Sequence, residues 1–311
     1  IPTWGGGRRW PARPLAVLLA MVLAGCGAAA DRDREGDAAA AVNALADRYV
    51  AAYFEAFPHQ ATLVGAATGP HDRLPDISAA AYERWAATED SILGELDALD
   101  ASSLEEGSAA AVTYGFLHEV LLNARDHRSC RMELWNVSPT WTGWQSELAL
   151  LASAQPVGTP EQNDAAYRRF SELPRYVDQE IENLRRGLTR GYSAPRGNVQ
   201  AVIRQMDALL AAPVSESPFV AMAPDTAAEF RSRLESLETA SIRPAIARYR
   251  DFLRDEYLPA AREAIGVSSN PDGDVCYWAA IRYHSTVDIS PEEVHATGLE
   301  AMAKIRREMA V

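Results

Sequence analysis

Two short motifs contain residue types that could bind a metal ion. The first, His118-Glu119-Val120-Leu121-Leu122, begins like the His-Glu-x-x-His helix of zinc peptidases. In that helix two imidazoles one turn apart hold the zinc ion, and the glutamate activates a water molecule. Leu122 stands where the second histidine is needed. We therefore interpret His118 and Glu119 as exposed polar residues of an amphipathic helix.

The second motif, Glu292-x-x-His295, has the i, i+3 spacing of ferritin-like di-metal sites. Such sites need a second Glu-x-x-His, which the sequence lacks. Glu292 and Glu293 also follow Ser290-Pro291, where capping and the helix dipole favour acidic side chains. We favour this structural role over a cofactor-bearing bundle built around Glu292 and His295. The sequence therefore predicts no catalytic, cofactor-binding or metal-binding residue in this chain.

Three tryptophans, Trp135, Trp141 and Trp144, lie in a stretch that also contains proline, threonine and glycine. Aromatic side chains on a loop can line a ligand cleft. They can equally anchor the loop onto a helical bundle, which is the interpretation that we favour. The same stretch has room for a short hairpin over residues 135–145.

The start of the chain has the features of a secretion signal. Three arginines precede an apolar run from Pro14 to Leu23, and no acidic residue occurs before Asp31. The run is too short to span about 30 Å of hydrocarbon, but it suits a signal-peptide core. The alternative is a buried apolar helix. We favour the signal because the charge, the length of the core and the cleavage site that follows all agree.

Leu23-Ala24-Gly25-Cys26 resembles the bacterial lipobox, in which the cysteine carries the lipid and becomes the mature N-terminus. We therefore predict a signal peptide over residues 1–25, lipidation of Cys26, a flexible tether over residues 26–38 and a helical domain over residues 39–311. Gly27, rather than an aspartate, resembles the outer-membrane sorting class. These features predict a membrane partner through the lipid anchor, in the bacterial cell envelope on the periplasmic side of the outer membrane.

Cys130 and Cys276 remain after lipidation of the first cysteine. In an oxidising periplasm two remaining thiols often pair. A closed loop of roughly 146 residues would gain about 4–5 kcal/mol in the chain-entropy description. We favour a disulfide between them, and two buried free thiols are the alternative.

The composition excludes several classes of protein. The 311 residues include 30 basic and 43 acidic side chains, for a net charge of −13. A chain without a basic stripe is not expected to bind duplex nucleic acid. Lys304 is the single lysine, and because it follows no glycine-rich loop the sequence contains no P-loop nucleotide site.

Apolar residues recur with a helical period along almost the whole chain, and no alternating run is long enough to predict a sheet. Ser78, Thr159-Pro160 and Ser290-Pro291 are typical helix starts. Two of the predicted helices cover residues 224–237 and 241–265, with Gly266 ending the second. The sequence therefore predicts one all-α domain, an irregular multi-helix bundle.

The last predicted helix continues to the final residues. Met302, Ile305 and Met309 share one face, and no glycine cap or proline stop follows. An apolar helical face must be buried against something. Either this helix closes the bundle or a following element is missing, and we favour truncation.

Several blocks in order resemble a bacterial family known as domain of unknown function 885. The blocks are Cys130–Val137, Gly143–Gln145, Gln155–Thr159, Leu173–Pro195, Glu256–Arg262, Ser290–His295 and Gly298–Leu299. The resemblance covers roughly residue 40 to the end. It implies a mostly helical protein, often secreted or lipid-anchored, that is similar to zinc metallopeptidases.

The metal-binding signature of that family resembles His-Glu-x-x-Pro-Gly-His, and no position of this chain matches it. The resemblance therefore implies an N-terminal half that forms one wall of a deep peptidase-type cleft. Zinc and a peptide substrate are expected for the full-length protein, and this chain alone is expected to be inactive. The alternative hypothesis is a non-enzymatic helical lipoprotein that binds a partner in the envelope.

Overall fold

The structure, a computed structural model, describes residues 36–310. Every regular element in that range is helical, and the one β-type contact is an isolated bridge between Pro195 and Arg262. The predicted all-α class is therefore confirmed. Cys26 and the predicted signal peptide lie outside the described residues. Residues 36–38, which we assigned to the tether, already belong to the first helix.

Fourteen α-helical segments follow one another within residues 36–310, several of them only about one turn long. They are α1 (36–56), α2 (Pro58–Leu63), α3 (Ala79–Asp97), α4 (Ala109–His127), α5 (Trp144–Ala154), α6 (Pro160–Ser171), α7 (Leu173–Thr189), α8 (Arg196–Ala211), α9 (Pro218–Ala221), α10 (Ala228–Leu237), α11 (Arg243–Phe252), α12 (Leu258–Ala260), α13 (Gly273–Ser285) and α14 (Pro291–Met309).

Helix starts that depend on a local cap lie where the sequence predicts them. The Ser78 side chain accepts a hydrogen bond from an N–H group of the first turn of α3. Thr159 and Ser290 each form a complete capping box, at α6 and α14. These side chains satisfy N–H groups that the first helical turn cannot satisfy internally.

The sequence predicts two separate helices over residues 224–237 and 241–265, and this separation is wrong. Helices α10, α11 and α12 form one continuous rod, joined by π-helical turns at Glu238–Ile242 and Leu253–Tyr257. Each wide turn lies just before a proline, Pro244 or Pro259. A proline ring clashes with the carbonyl four residues earlier, and a widened turn relieves that clash. The rod ends at Ala260, before the predicted terminator Gly266.

Residues 135–145 form no hairpin. They make a loop that leads into α5 at Trp144. The polar side chains of this loop form hydrogen bonds to its backbone and to one another. Asn136 donates to the Thr142 carbonyl at 3.1 Å, and Gln145 donates to the Ser138 carbonyl at 2.8 Å. Such local bonds offer the backbone an alternative to strand pairing, which explains why the predicted hairpin is wrong.

The buried apolar side chains form two main groups. The larger group is built by α5, α7, α8 and the α10–α12 rod, and includes Val177, Val202 and Tyr249. A second group, built by α1, α3 and α4, includes Ile92 and Leu121. Both follow the 3.6-residue period of their helices, as amphipathic helices that share a core must.

A buried arginine fixes the long connection between α2 and α3. Arg169 on α6 is 0% exposed, and it donates to three backbone carbonyls of the segment 58–73 and to side-chain oxygens of Thr62 and Gln155, at 2.7 to 3.3 Å. Burial lowers the pKa of Arg169 to about 10. The five hydrogen bonds that Arg169 donates replace those to the water that the guanidinium loses.

A disulfide joins Cys130, in the turn after α4, to Cys276 on α13, with 4.4 Å between the Cα atoms. The bond fixes α13 to the end of α4. No described residue of α14 is buried, so within residues 36–310 this helix does not close the bundle. Met302, Ile305 and Met309 are all exposed. Among the described helices, none is both long and apolar enough to cross a membrane.

Candidate functional site

An outer cleft of about 590 Å³ opens beside α1, α3 and α4. One wall is aromatic, because Tyr49 and Tyr53 lie one turn apart on α1 and face Trp85 of α3. The ring centroids of Tyr49 and Tyr53 each lie 5.8 Å from that of Trp85. Tyr283 of α13 contributes a further aromatic ring. The cleft therefore offers a broad apolar surface that solvent can reach.

A smaller inner pocket of about 170 Å³ continues from this cleft. The two cavities share Tyr82, Met132 and Glu133. The remaining lining residues of the inner pocket come from the loop before α5, from α5 and from α7: Asn136, Thr142, Trp144, Glu147, Tyr176 and Glu180. Three of its nine lining residues are glutamates and none is basic.

Two glutamates of these cavities have strongly raised pKa values. Burial alone raises the pKa of Glu180 to about 8. Burial also raises the pKa of Glu89, in the outer cleft, to about 7, against the opposing effects of Arg128 and Trp85. A buried carboxylate loses its hydration, and the neutral form is then favoured. Perturbed carboxyl groups in a cleft are a physical sign of a functional site.

The other two inner-pocket carboxylates have partners. Arg131 Nε lies 2.9 Å from Glu133 Oε1. Glu147 Oε1 lies 3.2 Å from His59 Nε2 and accepts a hydrogen bond of 3.2 Å from Gln60 Nε2. These contacts hold the two carboxylates in place while leaving them in the pocket lining.

Three arginines line the outer cleft: Arg128, Arg131 and Arg186. Arg128 binds Asp90 through both terminal nitrogens, at 3.0 and 2.5 Å, and its Nε lies 3.8 Å from Glu89 Oε2. The Arg186 guanidinium donates to the Asn183 side chain at 3.1 Å. The outer cleft therefore contains positive groups, whereas the inner pocket lining is acidic.

His118 and Glu119 do not meet at a metal site. His118 Nε2 lies 2.9 Å from Asp97 Oδ1 on α3, and Glu119 forms an ion pair with Arg282 of α13 at 2.9 Å. The two side chains thus connect α4 to its neighbours. We expected Glu119 to be an exposed residue on a helix face, but its carboxylate instead binds Arg282 of α13.

Glu292 and His295 lie on exposed α14, and Glu293 accepts hydrogen bonds from Ser290 as part of the capping box. Those bonds lower the pKa of Glu293. Among residues 36–310, no group of three His, Cys, Asp or Glu side chains is arranged to hold a metal ion. The residues that the structure describes therefore offer no site that fits zinc.

The three tryptophans have different environments. The Trp135 indole donates to the Cys130 carbonyl at 2.8 Å, and Trp144 is 6% exposed and packs 5.2 Å from the Tyr249 ring. These two anchor the loop, although Trp144 also lines the inner pocket. Trp141 is 82% exposed and anchors nothing.

Sequence reasoning missed the glutamates of the two cavities, although their positions carry a signal. Glu180 lies among Tyr176, Val177, Ile181 and Leu184, which form the buried face of α7. An acidic residue within an apolar helical stripe requires a partner or a cavity, since burying a lone charge is costly. That periodic position is what could have identified Glu180.

A family model matches residues 58–311, and its description is "Bacterial protein of unknown function (DUF885)". The chain belongs to the DUF885 family. The resemblance noted in the sequence is thereby confirmed at the level of the family. A comparison with curated proteins finds no match.

A solved structure supports the fold. The chain is similar to the crystal structure of "the putative lipoprotein from Colwellia psychrerythraea", with a TM-score of 0.71 and 15% sequence identity. The match covers 86% of this chain and 49% of that protein, so the chain spans about half the length of the protein that it matches. At this identity the likeness shows a common fold.

Proposed function

We propose that this DUF885 chain is the N-terminal part of a lipid-anchored, zinc-peptidase-like hydrolase of the bacterial cell envelope. In this proposal it forms one wall of the substrate cleft, and a following segment supplies the rest. The observation that carries the proposal is the outer cleft with its acidic inner pocket. A concave, largely apolar site with a few perturbed polar groups is the usual form of a binding site for a small molecule or peptide.

The exposed α13 and α14 support the idea of a missing wall. Trp278 on α13 and Leu299 on α14 are large apolar residues that are about half exposed, at 48% and 60%. Exposed apolar patches of this kind mark surfaces that contact another protein segment. A second half packed against α14 would cover the face formed by Met302, Ile305 and Met309.

The described residues contribute no metal ligand to this proposal. The His118-Glu119 pair lacks a second histidine, and its side chains already contact Asp97 and Arg282. In this proposal, the ligands of a zinc ion come from the following segment. The chain's own contribution is to bind and orient the substrate in the cleft.

The proposed location depends on Cys26 and on the disulfide. Disulfides persist in oxidising compartments, which for a bacterium means outside the cytoplasm. The match to a protein named as a lipoprotein supports an anchor at Cys26. Because the chain is acidic, at −13 overall, the lipid rather than the protein surface would hold it at an anionic membrane.

The second candidate is a non-enzymatic lipoprotein that binds an envelope partner. The same exposed apolar residues of α13 and α14 favour it, because they would suit a separate protein equally well. Reading the gene downstream of Val311 distinguishes the two. A stop codon there favours the binding protein, and a His-Glu-x-x-Pro-Gly-His motif further on favours the hydrolase.

The test is to express the longer reading frame and to measure cleavage of a peptide library with and without a chelator. The proposal predicts cleavage that the chelator abolishes and that added zinc restores. Cleavage that is insensitive to the chelator, or no cleavage across the library, would contradict it.

A further inference from the structure

The inner pocket has a chemical character that a general peptide cleft does not require. Glu133, Glu147 and Glu180 line it, and no arginine, lysine or histidine does. Two of the three carboxylates are partnered, as described above. The third, Glu180, forms no hydrogen bond or ion pair with a described residue, and burial is the single cause acting on its pKa.

Glu180 also retains accessible surface. Its side chain is of intermediate exposure even though burial is strong enough to shift its pKa to about 8. The surface that it keeps therefore faces the inner pocket, which it lines. A half-buried carboxylate without a protein partner, at the surface of a cavity, is free to pair with a cation that enters that cavity.

The volume of the pocket limits the size of the group that it can hold. A metal ion draws its oxygen ligands to about 2.0–2.6 Å from one point. The acidic residues of the described chain are not arranged in this way. A pocket of about 170 Å³ instead has room for a group of several heavy atoms.

The remaining walls favour an organic cation. Tyr82, Trp144 and Tyr176 line the pocket beside the glutamates. Aromatic rings beside a binding pocket can attract ammonium and guanidinium groups through the ring quadrupole. Asn136 and Thr142 add oxygen atoms that can accept from the N–H groups of such a cation.

We propose that the inner pocket binds an organic cation, an alkylammonium or guanidinium group, and that Glu180 is the carboxylate that pairs with it. The cation reaches the pocket through the outer cleft, with which the pocket shares Tyr82, Met132 and Glu133. The apolar part of the ligand then lies against the aromatic wall of that cleft. The assignment of this cation to a peptide rests on the proposed function. The binding of an organic cation in the inner pocket does not depend on that proposal.

Two parts of a peptide carry this chemistry, the N-terminal α-ammonium and a basic side chain. Three probes separate them at pH 7 by isothermal titration calorimetry with this chain. Alanyl-phenylalaninamide carries the α-ammonium, and Nα-acetyl-lysinamide carries the side-chain ammonium. N-acetyl-alanyl-phenylalaninamide has the bulk of the first probe without its charge.

Glu180→Gln removes the ability to ionise and keeps the shape. Because the pKa of Glu180 is about 8 in the unliganded protein, a cation that binds at pH 7 must displace its proton, which glutamine cannot release. Glu182→Gln is the matched control, because Glu182 lies on the same helix and is exposed to solvent. The proposal predicts that at least one charged probe binds at least about tenfold more tightly than the neutral probe, as expected for a charged hydrogen bond. It also predicts that Glu180→Gln removes this preference and that Glu182→Gln keeps it.

The binding proposal fails if the charged and neutral probes bind equally, if none of the three binds, or if Glu180→Gln keeps the preference. Which charged probe binds identifies the part of the peptide that is recognised. The measurement needs no zinc and no turnover. A positive binding result with no cleavage by the longer protein would therefore contradict the proposed function alone.

Discussion

Replacing Glu180 with glutamine should make the empty protein more stable, and by an amount that depends on pH. Burial raises the pKa of Glu180 from its ordinary value of 4.5 to about 8 in the folded protein. Between these two values the unfolded chain releases the proton and the folded protein retains it. The stability of the wild type therefore falls as the pH rises through this window.

The size of the effect follows from the shift. At pH 7 the solution lies about 2.5 units above the unfolded-state pKa, and each unit costs about 1.4 kcal/mol, which gives about 3 kcal/mol. Glutamine does not titrate and avoids this cost. The difference in the free energy of unfolding between Glu180→Gln and wild type should be near zero at pH 4.5, about 3 kcal/mol at pH 7, and largest above pH 8.

Urea unfolding monitored by circular dichroism at pH 4.5, 7 and 8.5 measures this difference. Glu182→Gln, on the exposed side of α7, should change stability by less than about 0.5 kcal/mol at every pH. A destabilising Glu180→Gln variant at pH 7, or a gain that does not change with pH, would refute a Glu180 whose pKa is raised by burial and that has no protein partner.

Three further stability predictions can be checked by urea unfolding at pH 7. Replacing both Cys130 and Cys276 with serine should cost about 2–5 kcal/mol, and a reducing agent should lower the stability of wild type alone; equal stability with and without reductant would argue against the bond. Arg169→Met should cost at least about 3 kcal/mol, because five acceptors lose their donor; a neutral result would contradict the buried network. Gly187→Ala should cost at least about 2 kcal/mol because its Cβ would overlap a backbone carbonyl, whereas Gly115→Ala, in open space on α4, should gain about 1 kcal/mol. Equal changes in stability at the two glycines would contradict the close approach of Gly187 on α7 to the Leu134 carbonyl.

The parts of the fold that the sequence predicts correctly depend on local chemistry. Ser78 and Ser290 mark helix starts because each side chain accepts a hydrogen bond from the N–H group three residues later. The apolar stripes of α3 and α7 identify their buried faces for the same reason, since the helical period relates residues one turn apart.

The parts that the sequence does not predict depend on long-range packing. Pro244 and Pro259 are residues at which a helix usually ends. In this protein, π-helical turns before each proline and tertiary packing allow the helical rod to continue past both. The outer cleft needs α1, α3, α4 and α13 together, and no single segment contains its pattern. Glu180 is visible as an acidic residue in an apolar stripe, but the cavity beside it is created by distant residues such as Met132.

The central claim is that this chain supplies a binding wall and leaves the metal to residues outside it. Purified residues 26–311 should be incubated with zinc, dialysed, and assayed for bound zinc by mass spectrometry and for peptide cleavage. We expect far less than one bound zinc ion per protein molecule and no peptide cleavage above background. One zinc per chain together with peptide cleavage would contradict it.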